Sequence, residues 1–296
     1  MFIVTQLIGL AIVSFYNNPE HVLPFGMEPP DEMRVDDGGI DYLGSIFFAF
    51  VFAIFLFFIL TKINAAKFIR AWFFIVTSLA LGLSLNAIFF KMSILSYTTT
   101  FALAFAAILA YFKIYKRDLV VHNVTELFIY PGIAAVFVPI LNVFGIIILL
   151  LAISLYDIWA VWHSEFMQKM ASYQINKLKF FTGFFMPYAD KKTKLKIKKI
   201  KDKYTSKEDV EKHLKKSNVK VSLAILGGGD IIFPIITAGV ILKVTGSISQ
   251  ALIISLSATL ALLFLFIMAR KGKFYPAMPF LTIGMYLGLI FNWLVF

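Results

Sequence analysis

The segments VFGIIILLLAISLYDIWAVWHS, residues 143–164, and VSLAILGGGDIIFPIITAGVIL, residues 221–242, each carry one interior aspartate, Asp157 and Asp230. Both are apolar enough to cross a bilayer, whose ~30 Å hydrocarbon core takes about 20 residues of helix. A carboxylate at that depth is costly unless it is neutralised, paired or wetted, which makes it a functional candidate by default. The other Asp and Glu residues, Glu126 and Glu165 among them, read as lying in loops or near the ends of apolar stretches, where charge is cheap. Two interior carboxylates suggest a dyad that shares a proton.

Working outward, the whole chain has the composition of a membrane protein. Hydrophobic residues make up 60% of its 296 residues and Phe occurs 33 times, while mean hydropathy is +0.84, more than a soluble core requires. Apolar runs predict nine spans, at about 1–16, 44–61, 68–90, 93–112, 122–141, 143–164, 221–242, 247–269 and 277–296. The fold class is therefore an all-α polytopic membrane protein. The first run has no charged leader and no small-residue cleavage site, so it reads as a span, not a cleaved signal. The stretch 119–165 is too long for one crossing. Pro131 and Pro139 interrupt its first half, and Asn142 marks a hairpin between two spans. With no cysteine there is no disulfide, thiol nucleophile or Cys-based metal site. No phosphate-binding loop or zinc signature appears either, so neither metal nor cofactor is expected.

The net charge of +11 would suggest nucleic acid in a soluble chain, but here its distribution gives topology. Of the 28 Lys and Arg, 16 fall between residues 166 and 220, against five acidic residues there. Further positive charge sits at Lys62, Lys67 and Arg70, at Lys113, Lys116 and Arg117, and at Arg270, Lys271 and Lys273. Alternate connections are poor in it, and the connection 17–43 is acidic, with Glu20, Glu28, Asp31, Glu32, Asp36, Asp37 and Asp41 against Arg34. Because positive loops stay cytoplasmic, nine spans place the amino terminus inside and the carboxyl terminus outside. The chain divides into a six-helix part at 1–165, a basic cytoplasmic loop at 166–220 and a three-helix part at 221–296. The run from Lys191 to Lys203 is expected to be solvated and to lie near anionic lipid headgroups.

Asp157 lies eight residues before Glu165 at the end of the sixth span, and Asp230 nine residues after Val221 at the start of the seventh. At about 1.5 Å per residue both sit roughly 12–14 Å from the same face. Antiparallel neighbouring spans can thus bring the two carboxylates together. Two carboxylates in contact do not both ionise cheaply. The ionised one can act as general base on a water, and the protonated one can donate to a carbonyl oxygen becoming tetrahedral. Which aspartate takes which role stays open, because a coupled pair titrates as a unit.

Three further patterns flank these positions: Tyr156-Asp157, Gly227-Gly228-Gly229-Asp230 and Pro276-Ala277-Met278-Pro279. They resemble the Tyr-Asp, Gly-x-Gly-Asp and Pro-Ala-Leu motifs of presenilins and signal peptide peptidases, in order on the sixth, seventh and ninth spans. Met278 stands where the family usually has Leu, a change that conserves volume. The resemblance covers essentially the whole chain and is to a compact prokaryotic presenilin homologue, in the presenilin orientation. It implies an intramembrane aspartyl protease acting on transmembrane helices of other proteins. Asp157 and Asp230 would be catalytic, with Tyr156, Gly227, Gly228, Gly229, Pro276, Ala277, Met278 and Pro279 at the substrate. No partner subunit is expected to be required, and a homo-oligomer stays open.

Independent physical reasons support some of these neighbours. Gly227 and Gly229 let another backbone approach Asp230 and loosen the helix. Pro276 and Pro279 disfavour helix before them, and a proline pair equally suits a helix start; the resemblance implies an active-site strand or loop there that holds extended substrate. His163, beside Trp159 and Trp162, reads as an interface anchor. A proton-coupled transporter would also show paired intramembrane carboxylates and broken helices. The odd span number, the matching depths and the lack of an inverted repeat weigh against it. A prepilin-type peptidase shares the Gly-x-Gly-Asp pattern but lacks the proline motif on a ninth span.

Overall fold

Inside a bilayer every backbone amide must be satisfied within its own segment, and long apolar runs achieve this as helices. In a computed structural model of the protein, the described residues are 1–24, 65–91, 98–116, 118–162, 182–188, 222–269 and 275–296, with Tyr173 and scattered positions between 44 and 63. They form α1 (Phe2–Tyr16), α2 (Ala66–Lys91), α3 (Thr98–Tyr111, continued by a π-helical turn Phe112–Lys116), α4 (Leu119–Phe137) and α5 (Val143–Trp162). Then come strands β1 (Gly183–Tyr188) and β2 (Ser222–Gly227), and helices α6 (Gly228–Thr245), α7 (Ile248–Met268) and α8 (Met278–Val295). Helices α2 to α8, counting α3 with its π turn, are the seven among the described residues that are long and apolar enough to cross a membrane; α1 is a shorter apolar helix. The expected span at 44–61 is described only at scattered positions. The acidic stretch 25–43, His163, Glu165 and the run Lys191–Lys203 lie outside the described residues.

Asn142 does mark a hairpin. Its Oδ1 accepts from the Gly145 amide at 2.6 Å and opens α5, directly after the turn through Pro139 that follows α4. The seventh span departs from expectation. Its helix begins at Gly228, not at Val221, because residues 222–227 form a strand. A short apolar run does not by its period distinguish strand from helix, and the three glycines after it resist helix continuation from before. β2 pairs antiparallel with β1 in a register running from Gly183↔Gly227 to Tyr188↔Ser222. This two-stranded sheet lies in a compact unit of its own, residues 183–227.

Within the helical unit α6 is the hub, packed against α1, α4, α5, α7 and α8, while α3 packs mainly on α2. Polar side chains join the helices at few points. Tyr16 donates to the Leu83 carbonyl at 2.8 Å and receives from Asn86 at 3.1 Å, whose Oδ1 accepts from Thr99 at 3.1 Å. Gln6 of α1 donates to the Ile231 carbonyl at 3.0 Å, one residue beyond Asp230. The tightest helix crossing is at Gly132, where an added Cβ would lie only 1.9 Å from the Ala80 carbonyl oxygen. Backbone therefore meets backbone between α2 and α4, as small residues permit in membranes. Next to that crossing, in the turn loosened by Pro131, Ser84 donates to the Phe128 carbonyl at 2.5 Å.

Since no flexible side chain can yield there, Gly132→Val should force α2 and α4 apart. The expected loss is about 2 kcal/mol or more, within the range for overpacking. A thermal melt in detergent checks it, and an unchanged melting temperature would contradict this crossing.

Candidate active site

Three polar rungs fix α5 against the antiparallel α8. Tyr286 donates to the Ile147 carbonyl at 2.6 Å, the Ser154 and Thr282 hydroxyls meet at 2.7 Å, and Asp157 Oδ2 accepts from the Met278 amide at 3.1 Å. Each step toward the carboxyl end of α5 is a step toward the start of α8. Asp157, 6% exposed, is thereby aligned with the first turn of α8.

This corrects the expectation for Pro276–Pro279. The segment is a helix start, not an extended stretch: α8 begins at Met278, Pro279 occupies its first turn, and the Leu281 amide already bonds the Ala277 carbonyl at 3.1 Å. First-turn amides have no acceptor inside the helix, so a proline there forfeits nothing. The Met278 amide is spent on Asp157 instead. Pro276, Ala277 and Met278 are buried at this point, while Pro279 is half-buried.

Asp230 lies in the first turn of α6 and is partly buried. Gly229 before it is exposed, and a Cβ there would meet only Phe233, at 3.8 Å. Gly228 is different. A Cβ on it would lie 2.9 Å from Cε1 and 3.0 Å from the hydroxyl oxygen of Tyr130, so the tyrosine fills the space a side chain would take. Gly227 closes β2. Tyr156 is half-buried, its ring tilted against Trp159 at 6.4 Å, an ordinary packing position on α5.

The helices bearing the two aspartates pack on each other, and both pack on α8. Each carboxylate has a helix amino terminus to itself, Asp230 that of α6 and Asp157 that of α8. Partial positive charge at a helix amino terminus supports an anion. The arrangement therefore supports one negative charge on whichever carboxylate bears it.

A second polar cluster was missed from the sequence. Glu126 was expected near a boundary; it lies inside α4 and is 1% exposed. Lys113 was expected in a loop; it is buried in the π-helical turn that continues α3, and it forms an ion pair with Glu126. His122 approaches the same carboxylate, Nε2 to Oε1 at 3.5 Å. Residues 122, 126 and 130 recur at four-residue spacing, one face of a helix, and that period was the available signal.

All 296 residues match the family described as signal-peptide peptidase, presenilin aspartyl protease. Among solved structures, a presenilin family intramembrane aspartate protease is similar in two crystal forms. The C222 form has a TM-score of 0.60 at 17% identity, over 100% of this chain and 97% of that chain. The P2 form has a TM-score of 0.59 at 16% identity, over 100% of this chain and 96% of that one. Among curated proteins none matches. The chain thus belongs to the signal-peptide peptidase and presenilin aspartyl protease family. It is an intramembrane aspartyl protease with the presenilin-family fold, and the comparisons lend nothing to the transport reading.

If register between α5 and α8 aligns Asp157, Thr282→Val should cost about 1 kcal/mol of stability and lower turnover several-fold. Pro279→Ala should stay within about twofold of wild type, since its amide position is one the helix leaves unused. Initial rates on a reconstituted transmembrane peptide check both. A tenfold loss in Pro279→Ala would restore the extended-segment expectation.

Proposed function

We propose that Asp157 and Asp230 are the catalytic pair of this protease and hold one proton between them. The observation that carries this is the Met278 amide bonded to Asp157, on helices that both pack against the one bearing Asp230. The ionised carboxylate takes a proton from water as the water oxygen bonds to the scissile carbonyl carbon. The protonated carboxylate gives its proton to the carbonyl oxygen, leaving a neutral tetrahedral diol. The carboxylate that took the water proton then gives it to the amide nitrogen while the other takes a proton from a diol hydroxyl; the C–N bond breaks, a carboxylic acid and an amine leave, and the one-proton pair is restored. No acyl-enzyme forms.

Its substrates are transmembrane helices of other membrane proteins, as the family implies. A helical peptide bond is wrapped by side chains and its carbonyl is engaged, so the helix opens before it is cut. We assign the opened chain to the vicinity of Tyr156, Gly227, Gly228, Gly229 and the Pro276–Pro279 helix start. The Lys and Arg asymmetry supports a cytoplasmic amino terminus and cytoplasmic 166–220 loop in a prokaryotic cell membrane, with anionic lipid as that loop's neighbour.

Asp157→Asn and Asp230→Asn should each lower cleavage of a reconstituted transmembrane peptide by at least a thousandfold while insertion and melting temperature hold. The wild-type rate should fall on both sides of an optimum pH, because the pair works only with one proton. Substantial cleavage by either variant would overturn the assignment.

For topology, the cysteine-free chain allows single introductions. A membrane-impermeant thiol reagent should label Lys199→Cys only from the cytoplasmic side and Asp37→Cys only from the other. The reverse pattern would invert the orientation.

A further inference from the structure

We propose that Tyr130, packed over Gly228 and on the same buried helix face as the Glu126 that Lys113 and His122 anchor, is a positioning residue for Asp230. The inference rests on Asp230 being catalytic. It concerns four residues that peptide hydrolysis itself does not use.

His122, Glu126 and Tyr130 form one stripe along α4, at 5%, 1% and 4% exposure, and Lys113 reaches it from α3 at 3%. Burying a carboxylate and an ammonium is expensive even when they pair, and apolar residues of like volume commonly do as well or better for stability. Stability is therefore a poor account of the cluster, and its position offers a better one. Lys113 and His122 both approach Oε1 of the Glu126 carboxylate. Tyr130 lies one helical turn beyond Glu126 on the same buried face of α4. The ring then occupies the space over Gly228, two residues before Asp230.

A buried polar stripe thus runs from the π-helical turn of α3, along one face of α4, to the backbone that leads into Asp230. The glycine is part of the device, since a side chain at 228 would press on the tyrosine ring and shift it. Gln6, donating to the Ile231 carbonyl at 3.0 Å, holds the same turn of α6 from α1. Between them the two contacts bracket Asp230 in sequence, at 228 and 231. An aspartate whose backbone is held on both sides keeps its carboxylate in one direction, and pre-orientation of a reacting group acts on kcat more than on substrate binding.

The test is the kcat and KM of purified protein on a transmembrane peptide, beside the melting temperature. Tyr130→Phe keeps the ring and removes the hydroxyl that faces Gly228; kcat should fall about tenfold with KM within twofold. Glu126→Gln, which keeps a polar side chain in the stripe, should retain most of kcat, whereas Glu126→Leu should lose as much as Tyr130→Phe. Gly228→Ala should lose kcat as well, and combining it with Tyr130→Phe should add little, as for residues acting as one unit. Wild-type kcat in Tyr130→Phe, or losses tracking melting temperature alone, would overturn the proposal. Should Tyr130→Phe not fold, the contrast between Glu126→Gln and Glu126→Leu decides, and equal kcat in those two overturns it. Asp230→Asn run alongside separates the two claims: if it is dead while Tyr130→Phe is normal, only the positioning role falls; if it cleaves, the catalytic assignment falls.

Discussion

A carboxylate inside hydrocarbon must be given polar company by the protein, since lipid supplies none. Much of this architecture answers that demand at three places. Asp157 receives the Met278 amide, Asp230 sits in the first turn of α6, and Glu126 is closed in by Lys113 and His122. The first two solutions use helix amino termini, where amides stand unclaimed. They leave a carboxylate able to gain and lose a proton, as an acid–base pair requires. The third uses a full counter-charge. The contrast sets the proposed catalytic carboxylates apart from Glu126 in how their charge is met.

Helix amino termini reach such depth only if helices begin there, and the chain starts them with its two conspicuous irregularities. Three glycines end β2 and open α6. A proline on each side of Ala277-Met278 opens α8. The rest of the bundle then has to hold these starts at one level. The Ser154–Thr282 and Tyr286–Ile147 contacts do so for α8, and Gln6 does so for α6.

Much of this was legible in the amino-acid order, and the failures have physical causes. Span positions came from hydropathy, and Asp157 and Asp230 stood out because depth makes a lone acid conspicuous. The start of α6 was misplaced because Ser222–Gly227 is apolar, short and equally suited to strand or helix. The proline segment was expected to be extended, since the same two residues that forbid a preceding helix also favour a following one. Glu126 and Lys113 were set aside because hydropathy assigns charge to boundaries. Only packing reveals that α3 continues as a π-helical turn and carries Lys113 inward. Tyr130 escaped notice because an aromatic in a membrane helix is commonplace; its role depends on Gly228, distant in sequence.

The central claim is that Asp157 and Asp230 meet in the folded protein. The absence of native cysteine permits a direct measurement: a doubly substituted Asp157→Cys, Asp230→Cys chain treated in membranes with a reagent that becomes fluorescent only on bridging two adjacent thiols. The account predicts bridging in the double variant, with none in either single variant. Independent alkylation of both thiols without bridging would contradict it.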